Sequence, residues 1–335
     1  MSTPTRIPVI LSIDVEPEGR FLDPGRRDSW LGFERCIEFS RGFRNRVAAA
    51  TGGEARLTWC LRMDPQITEV YGTSDWIVRQ HQAAFDEFEA LRDDVGLHTH
   101  PYRWDAVKES WVIDHGDQAW VDQCLDSAFD AFERALGRPC RTFRFGDRWM
   151  SNATVRRLEQ LGVRHDLTLE PGQKAVSTYC PGERFTGAIP DYSGVPTRPY
   201  RPSTADYQTA DAARPDGLWV IPLSTARVRP RALRWAYYRT LRRDLDSGTW
   251  TALVSHDPTV FRRIVADVLG RTSRPYLSLA LRTGALAVPR TARRVEANLA
   301  WLVTHPMAGR FTWTTAADTL RLLELETPAS LAVLA

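Results

Sequence analysis

Short apolar runs alternate along this chain with longer segments whose apolar residues return every third or fourth position, the pattern of βαβ units on a mainly parallel sheet or barrel. The first run, Pro8 to Ile13, is nearly all apolar, as expected of a strand buried on both faces. Ala55 to Arg62 reads as a second strand. Thr73, Ser74 and Asp75 then signal a helix start, and Ile77, Phe85, Phe88 and Leu91 continue it to about Arg92. Val95 to His98 reads as a strand. From Gln118 to Leu136, Trp120, Cys124, Leu125, Phe129 and Phe132 form one helical stripe, closed by Gly137. The cadence repeats with a strand at Thr142 to Phe145, a helix at Ala153 to Leu161 closed by Gly162, and a strand at Val163 to Leu169.

Between Glu170 and Asp216 the pattern breaks into a stretch rich in Pro, Gly, Ser and Tyr, too long for an ordinary connection and read as a substrate-facing loop or insertion. Periodicity resumes with Leu218 to Leu223, a helix around Arg231 to Leu245, a strand at Thr251 to Ser255, a helix around Val260 to Leu269, a helix at Arg293 to Val303, and the run Arg310 to Thr314. No repeat and no linker interrupts this order, so residues 1–335 read as one domain.

Composition narrows the class. With 44 Lys plus Arg against 41 Asp plus Glu the net charge is +3, too little to wrap nucleic acid, and 43% apolar residues suffice for a sizeable core. Nearly all the positive charge is Arg, the lysines being Lys108 and Lys174. The charge is also uneven: residues 227–294 hold 15 Arg against four Asp, and the remainder is net acidic. The basic run from Arg227 through Arg239, within a helical basic segment at 227–243, suits an anionic membrane surface or a phosphate-bearing ligand, or simply a solvated helix face. Cys36, Cys60, Cys124, Cys140 and Cys180 stand singly, as buried thiols do, with no spacing for a structural zinc site. The apolar run Ile7 to Ile13 is too short for a secretory leader, and Tyr276 to Val288, interrupted by Arg282, falls short of the ~20 residues that cross a bilayer. A cytoplasmic location is the expectation.

Three polar clusters end predicted strands, where parallel α/β architectures place their active sites. Asp14 and Glu16 are two apart, on the same face of an extended segment, and suit a metal ligand and a general base. His98 and His100 repeat that spacing with imidazoles, which offer nitrogen ligands to a divalent metal. His256, in Val254-Ser255-His256-Asp257, is placed to act as a general acid.

Together these clusters resemble the motif set of the polysaccharide deacetylase family, the NodB-homology or carbohydrate esterase family 4 group. Leu11-Ser12-Ile13-Asp14-Val15-Glu16 resembles its first motif and Gly96-Leu97-His98-Thr99-His100 its second. Phe143-Arg144-Phe145-Gly146 with Arg148-Trp149-Met150-Ser151-Asn152 resembles the third, Leu161-Gly162-Val163-Arg164-His165-Asp166 the fourth, and Leu253-Val254-Ser255-His256-Asp257 the fifth. The resemblance implies an α/β fold, a distorted (β/α) barrel of about seven parallel strands. It also implies a catalytic set of Asp14, His256 and Arg144, with Arg144 orienting Asp14, and metal ligands drawn from Glu16, His98 and His100. Two departures stand out. Val15 separates acids that the family commonly places side by side, which leaves open whether Asp14 or Glu16 touches the metal. Position 102 is Tyr where a second histidine is usual, so either His100 replaces it or the site has one histidine fewer. Asp64 is a candidate substitute ligand or support behind a histidine, and Asp166 a second support.

The chemistry so implied is that of a metal-dependent hydrolase, most simply with zinc, removing an acyl group, in the first place N-acetyl, from a sugar, a glycan precursor or a glycosylated metabolite. Tyr102, Trp149, Arg198 and Tyr200 are the substrate-binding candidates, with Tyr192, Arg201 and Tyr207 adding further rings and guanidinium groups. Two alternatives share the barrel: a cyclic amide or imide hydrolase, and an inactive glycan-binding protein.

Overall fold

The computed structural model describes residues 6–177, 183–228 and 248–325. Its strands are β1 (Ile7–Val15), β2 (Thr58–Leu61), β3 (Asp94–Thr99), β4 (Tyr102–Asp105), β5 (Ser110–Asp114), β6 (Thr142–Phe145), β7 (His165–Asp166), β8 (Arg184–Thr186), β9 (Trp219–Val220), β10 (Thr225–Arg227), β11 (Thr249–Thr251), β12 (Leu277–Arg282) and β13 (Phe311–Trp313). Seven run parallel in the order β12-β1-β2-β3-β6-β7-β9, and β13 adds to the start of β1. All nine residues of β1 are buried, because neighbours pair with it on both sides and helices cover the sheet.

Irregular backbone joins the two outer strands, which is what distorts the barrel. Beyond β9, the N–H of Ile221 donates to Asp166 O (2.8 Å) and that of Ser224 to Ser278 O on β12 (2.9 Å), while Leu253 bridges Ala280 in parallel. Every strand of the main sheet therefore points its C-terminal end to the same rim.

Several helices form as their sequence dictates. The Asp117 carboxylate caps the helix Gln118–Leu136 by accepting from the Trp120 N–H (3.2 Å), Gly137 ends it in the left-handed conformation, and Val121, Cys124, Leu125, Ala128, Phe129 and Phe132 bury its inner stripe. Trp120 itself is only half-buried, its indole N–H donating to Pro101 O. Ser151 caps Asn152–Gln160, and Asp257 caps Pro258–Gly270, with Pro258 in the first turn where it lacks no needed N–H.

Other elements differ from the periodicity reading. The helix expected from Thr73 to Arg92 is two, Trp76–Gln80 and Gln82–Ala90, because His81 leaves helical geometry. The helix Leu31–Thr51 and the antiparallel pair β4 and β5 were not expected, and β8 from the long 170–216 stretch joins β5 in parallel, so that stretch is partly ordered sheet. Regular pairing covers only His165–Asp166 of the strand expected at Val163 to Leu169. In place of a strand at Thr251 to Ser255, Thr249–Thr251 pairs antiparallel with β10. The helix expected around Arg231 to Leu245, most of the basic run, and Cys180 lie outside the described residues. Cys36, Cys60, Cys124 and Cys140 are buried free thiols. Among the described residues no helix is long and apolar enough to cross a membrane.

Candidate metal centre

The polar residues converge at the C-terminal rim. Glu16, just past β1, meets His98 from β3 and His100 just beyond it, with one ligand atom from each lying within 4.8 Å of the others. The Glu16 carboxylate oxygen Oε2 is 3.9 Å from His98 Nε2 and 3.8 Å from His100 Nε2, and the two Nε2 atoms are 3.0 Å apart. All three residues are buried.

Hydrogen bonds fix which nitrogens face inward. His98 Nδ1 lies 3.0 Å from the Arg144 carbonyl, which only accepts, so Nδ1 carries the proton and Nε2 presents its lone pair. His100 Nδ1 lies 3.4 Å from Asp147 Oδ2, which turns its Nε2 inward in the same way. Two imidazole lone pairs and a carboxylate facing one another repel unless a cation stands between them. This donor set, two nitrogens and one oxygen in a buried space, fits a divalent ion such as zinc.

The backbone around His100 is shaped for that ring. A Cβ added at Gly146 would lie 2.2 Å from His100 Cε1, so only glycine lets the ring lie against the end of β6. Immediately after it Asp147 and Arg148 take left-handed conformations (φ 55° and 50°), a strained arrangement that aims the Asp147 carboxylate at His100. Asp147 is also paired with Arg20 Nη1 at 2.7 Å. Burial pushes the His100 imidazole down to about 4 even though Asp147 pulls the other way, so its nitrogen is unprotonated and able to ligate.

Beside the cluster, Arg144 Nε donates to Asp14 Oδ1 at 2.7 Å, and Arg144 Nη1 donates to Leu167 O at 2.8 Å. Asp14 Oδ1 is 4.0 Å from His98 Nδ1, and its Oδ2 accepts no hydrogen bond among the described residues. Thus Glu16, not Asp14, shares the inner space with both imidazoles, while Asp14 stands alongside with one oxygen tethered.

No protein-family model and no curated protein matches the chain. Solved structures do match. A probable polysaccharide deacetylase from Pseudomonas aeruginosa PAO1 superposes with a TM-score of 0.54 at 12% identity, covering 97% of this chain and 93% of that one. Puue allantoinase superposes with a TM-score of 0.52 at 13% identity, covering 97% and 92%. The chain has the polysaccharide deacetylase fold.

Within this deacetylase fold the remaining candidates are placed as follows. The Asp64 carboxylate is held by Arg62 through two hydrogen bonds of 2.9 Å, and Oδ2 also accepts from the His100 N–H, which places it behind His100. Asp166 accepts from the Thr168 hydroxyl (2.5 Å), whose oxygen accepts from the Phe145 N–H, and so braces β6 and β7. Burial raises Asp166 to about 7. His256 lies against Trp250 with ring centroids 5.3 Å apart, and Asn298 Nδ2 donates to its carbonyl. Burial pushes this imidazole down to about 4, opposed by the charge of Glu170.

Tyr102 is fully buried beside His100, ring centroids 4.7 Å apart. Three further rings, those of Trp149, Tyr200 and Tyr207, are not exposed platforms. Trp149 is buried, stacked on His115 at 5.0 Å and 3°. Tyr200 is buried with its hydroxyl donating to Tyr207 O, because the long stretch packs its own rings inward, and Tyr207 likewise donates to Met150 O. Arg198 is at the surface, donating to Thr272 Oγ1.

Other residues at the rim gave no local signal. Arg282, at the end of β12, donates from Nε to Glu16 Oε1 at 2.5 Å. Burial alone would raise Glu16, yet the Arg282 guanidinium, joined by Arg62 and, at the low pH where they are protonated, by His98 and His100, outweighs it and holds this carboxyl at about 2. Glu170 accepts from the Thr251 hydroxyl and lies 3.6 Å from Arg148. The buried His115 has neither ring nitrogen hydrogen-bonded among the described residues. In a chain this rich in arginine, only strand register could have singled out Arg282, which pairs directly with Asp14.

Proposed function

We propose that the protein is a metal-dependent hydrolase that removes an N-acyl group, most simply N-acetyl, from a sugar, a glycan precursor or a glycosylated metabolite. The observation that carries this reading is the convergence of Glu16, His98 and His100 with Asp14 tethered beside them by Arg144. A divalent ion held by those three ligands would acidify water and polarise the acyl carbonyl.

The chain's own residues supply the proton transfers. Asp14, with Oδ1 occupied by Arg144, has Oδ2 to take a proton from the attacking water. His256 returns a proton to the leaving amine. Its burial disfavours the imidazolium, and Glu170 offsets part of that cost. Asp64, Asp147 and Gly146 fix the position of His100.

The test is release of acetate from N-acetylated sugars and sugar precursors by zinc-loaded protein. Chelator and Asp14→Asn are each expected to abolish it, and release that survives the chelator overturns the metal reading. A second reading follows from the likeness to Puue allantoinase: hydrolysis of a cyclic amide on the same rim. Ring opening of allantoin without acetate release would favour it.

A further inference from the structure

Arg282 does more than neutralise Glu16. Its backbone is fixed, since Thr283 N–H donates to Asp14 O (3.0 Å) and the Thr283 hydroxyl accepts from the Glu16 N–H (3.1 Å). Its Nε is committed to Glu16, whose carboxylate is 4% exposed, while the Arg282 side chain is 51% exposed. Among the described residues its two terminal nitrogens donate to nothing. The end-on edge of a guanidinium offers two parallel N–H groups, a match for the paired oxygens of a carboxylate or phosphate.

A second donor belongs to the same cluster of side chains. The Tyr102 hydroxyl is buried and has no hydrogen-bond partner among the described residues. Its ring lies 4.7 Å from that of His100, whose Nε2 is 3.8 Å from Glu16 Oε2, and Arg282 holds the other oxygen of the same carboxylate. Its ring is flanked by guanidinium groups, Arg62 at 5.3 Å and Arg20 at 5.8 Å from the centroid. A buried O–H lacking an acceptor and a guanidinium edge lacking an anion are complementary demands, and one anionic oxygen group meets both.

We infer that Arg282 and Tyr102 form a recognition point beside the metal centre for an anionic oxygen group, phosphate or carboxylate, carried by the substrate. The inference rests on the deacylase reading for its substrate, but not for its binding test. With zinc-loaded protein, kcat/KM is compared for N-acetylglucosamine, its 6-phosphate and N-acetylmuramate, the last two distinguishing phosphate from carboxylate. At least one anionic compound is expected to be preferred by tenfold or more. Arg282→Gln should bring the ratio below twofold, chiefly through KM, Arg282→Lys should retain part of it, and Tyr102→Phe should reduce it about threefold to tenfold. Because Arg282 also holds Glu16, zinc content is measured for each variant, and it is the ratio between substrates that decides. Equal turnover of all three by wild type, or a ratio unchanged in Arg282→Gln, overturns the inference. Calorimetry with the amine products separates the two readings. Tighter binding of glucosamine 6-phosphate or muramate than of glucosamine, lost in Arg282→Gln, upholds the anion site even if no N-acetyl compound is hydrolysed, in which case the deacylase reading alone falls. Equal binding of all three amines by wild type overturns the anion site.

Discussion

The two ends of the barrel hold the same kinds of residue and treat them in opposite ways. At the C-terminal rim, buried Glu16 stays ionised at about 2 among His98, His100 and Arg282. At the N-terminal end, Asp94 at the start of β3 accepts from the Thr142 hydroxyl (2.6 Å), which lies 3.4 Å from His165 Nδ1. There burial raises Asp94, with Arg138 too weak to reverse it, and pushes His165 down to about 4. Burial there works against the charged form of both groups. An acid and an imidazole buried together are therefore not in themselves a centre of chemistry. Guanidinium groups at contact distance keep the acid charged, and backbone carbonyl and carboxylate partners turn the imidazole lone pairs toward it.

The sharpest way to break this contrast is at Asp14. Asp14→Asn should lower acetate release by about 10²–10⁴-fold with zinc content unchanged, as expected for loss of a general base. An unchanged rate would remove Asp14 from the chemistry. The buried ion pair behind His100 comes next. Arg62→Met leaves Asp64 charged and unpaired, and a loss of about 3–5 kcal/mol in urea unfolding is expected. Gly146→Ala forces the His100 ring to move, and zinc competition should show about 10–100-fold weaker binding with the fold retained by circular dichroism.

The smallest effect tests the N-terminal end. His165 has a folded value below its ordinary 6.5, so its contribution is present above 6.5 and is lost as pH falls toward about 4. Asp94 has a folded value above its ordinary 3.8, so its contribution is largest at low pH and is lost as pH rises through that raised value. On acidification the two oppose each other. Asp94→Asn removes the compensating gain, and its stability should fall more steeply than that of wild type as pH is lowered. Identical pH profiles would show that the two residues are not a compensating pair. Acetate release at pH 7 should be unaffected, since Asp94 lies at the opposite end of the barrel.

What the sequence made legible was whatever a short window contains. Pro8 to Ile13 and Gln118 to Leu136 declare themselves by unbroken burial and by a capped helical stripe, and Asp14, Glu16, His98 and His100 stand out because strand ends display them in alternating pairs. Arg62, Asp147, Glu170 and Arg282 were not legible as site residues, since each reaches the rim from its own strand or turn and only the pairing of strands brings them together. The strands β4, β5 and β8 escaped for a related reason: they are three to five residues long, and their partners are supplied by distant chain. The aromatic residues of the 170–216 stretch misled in the other direction. Tyr200 and Tyr207 look like platforms when counted, yet a long segment lying on a barrel must bury rings of its own to be held there.

The Thr283 clamp sets an order of events in the cell. Its hydroxyl and N–H tie the end of β12 to Asp14 and Glu16, residues 267 to 269 positions earlier in the chain. Contacts of such separation close a very long loop and form late. Because synthesis runs from the N-terminus, the acidic end of β1 must wait for the 266 positions that separate Glu16 from Arg282 before that arginine leaves the ribosome to balance it. Until then Glu16 is a carboxylate without its cation, and the nascent chain has every strand from β1 to β11 but no completed rim.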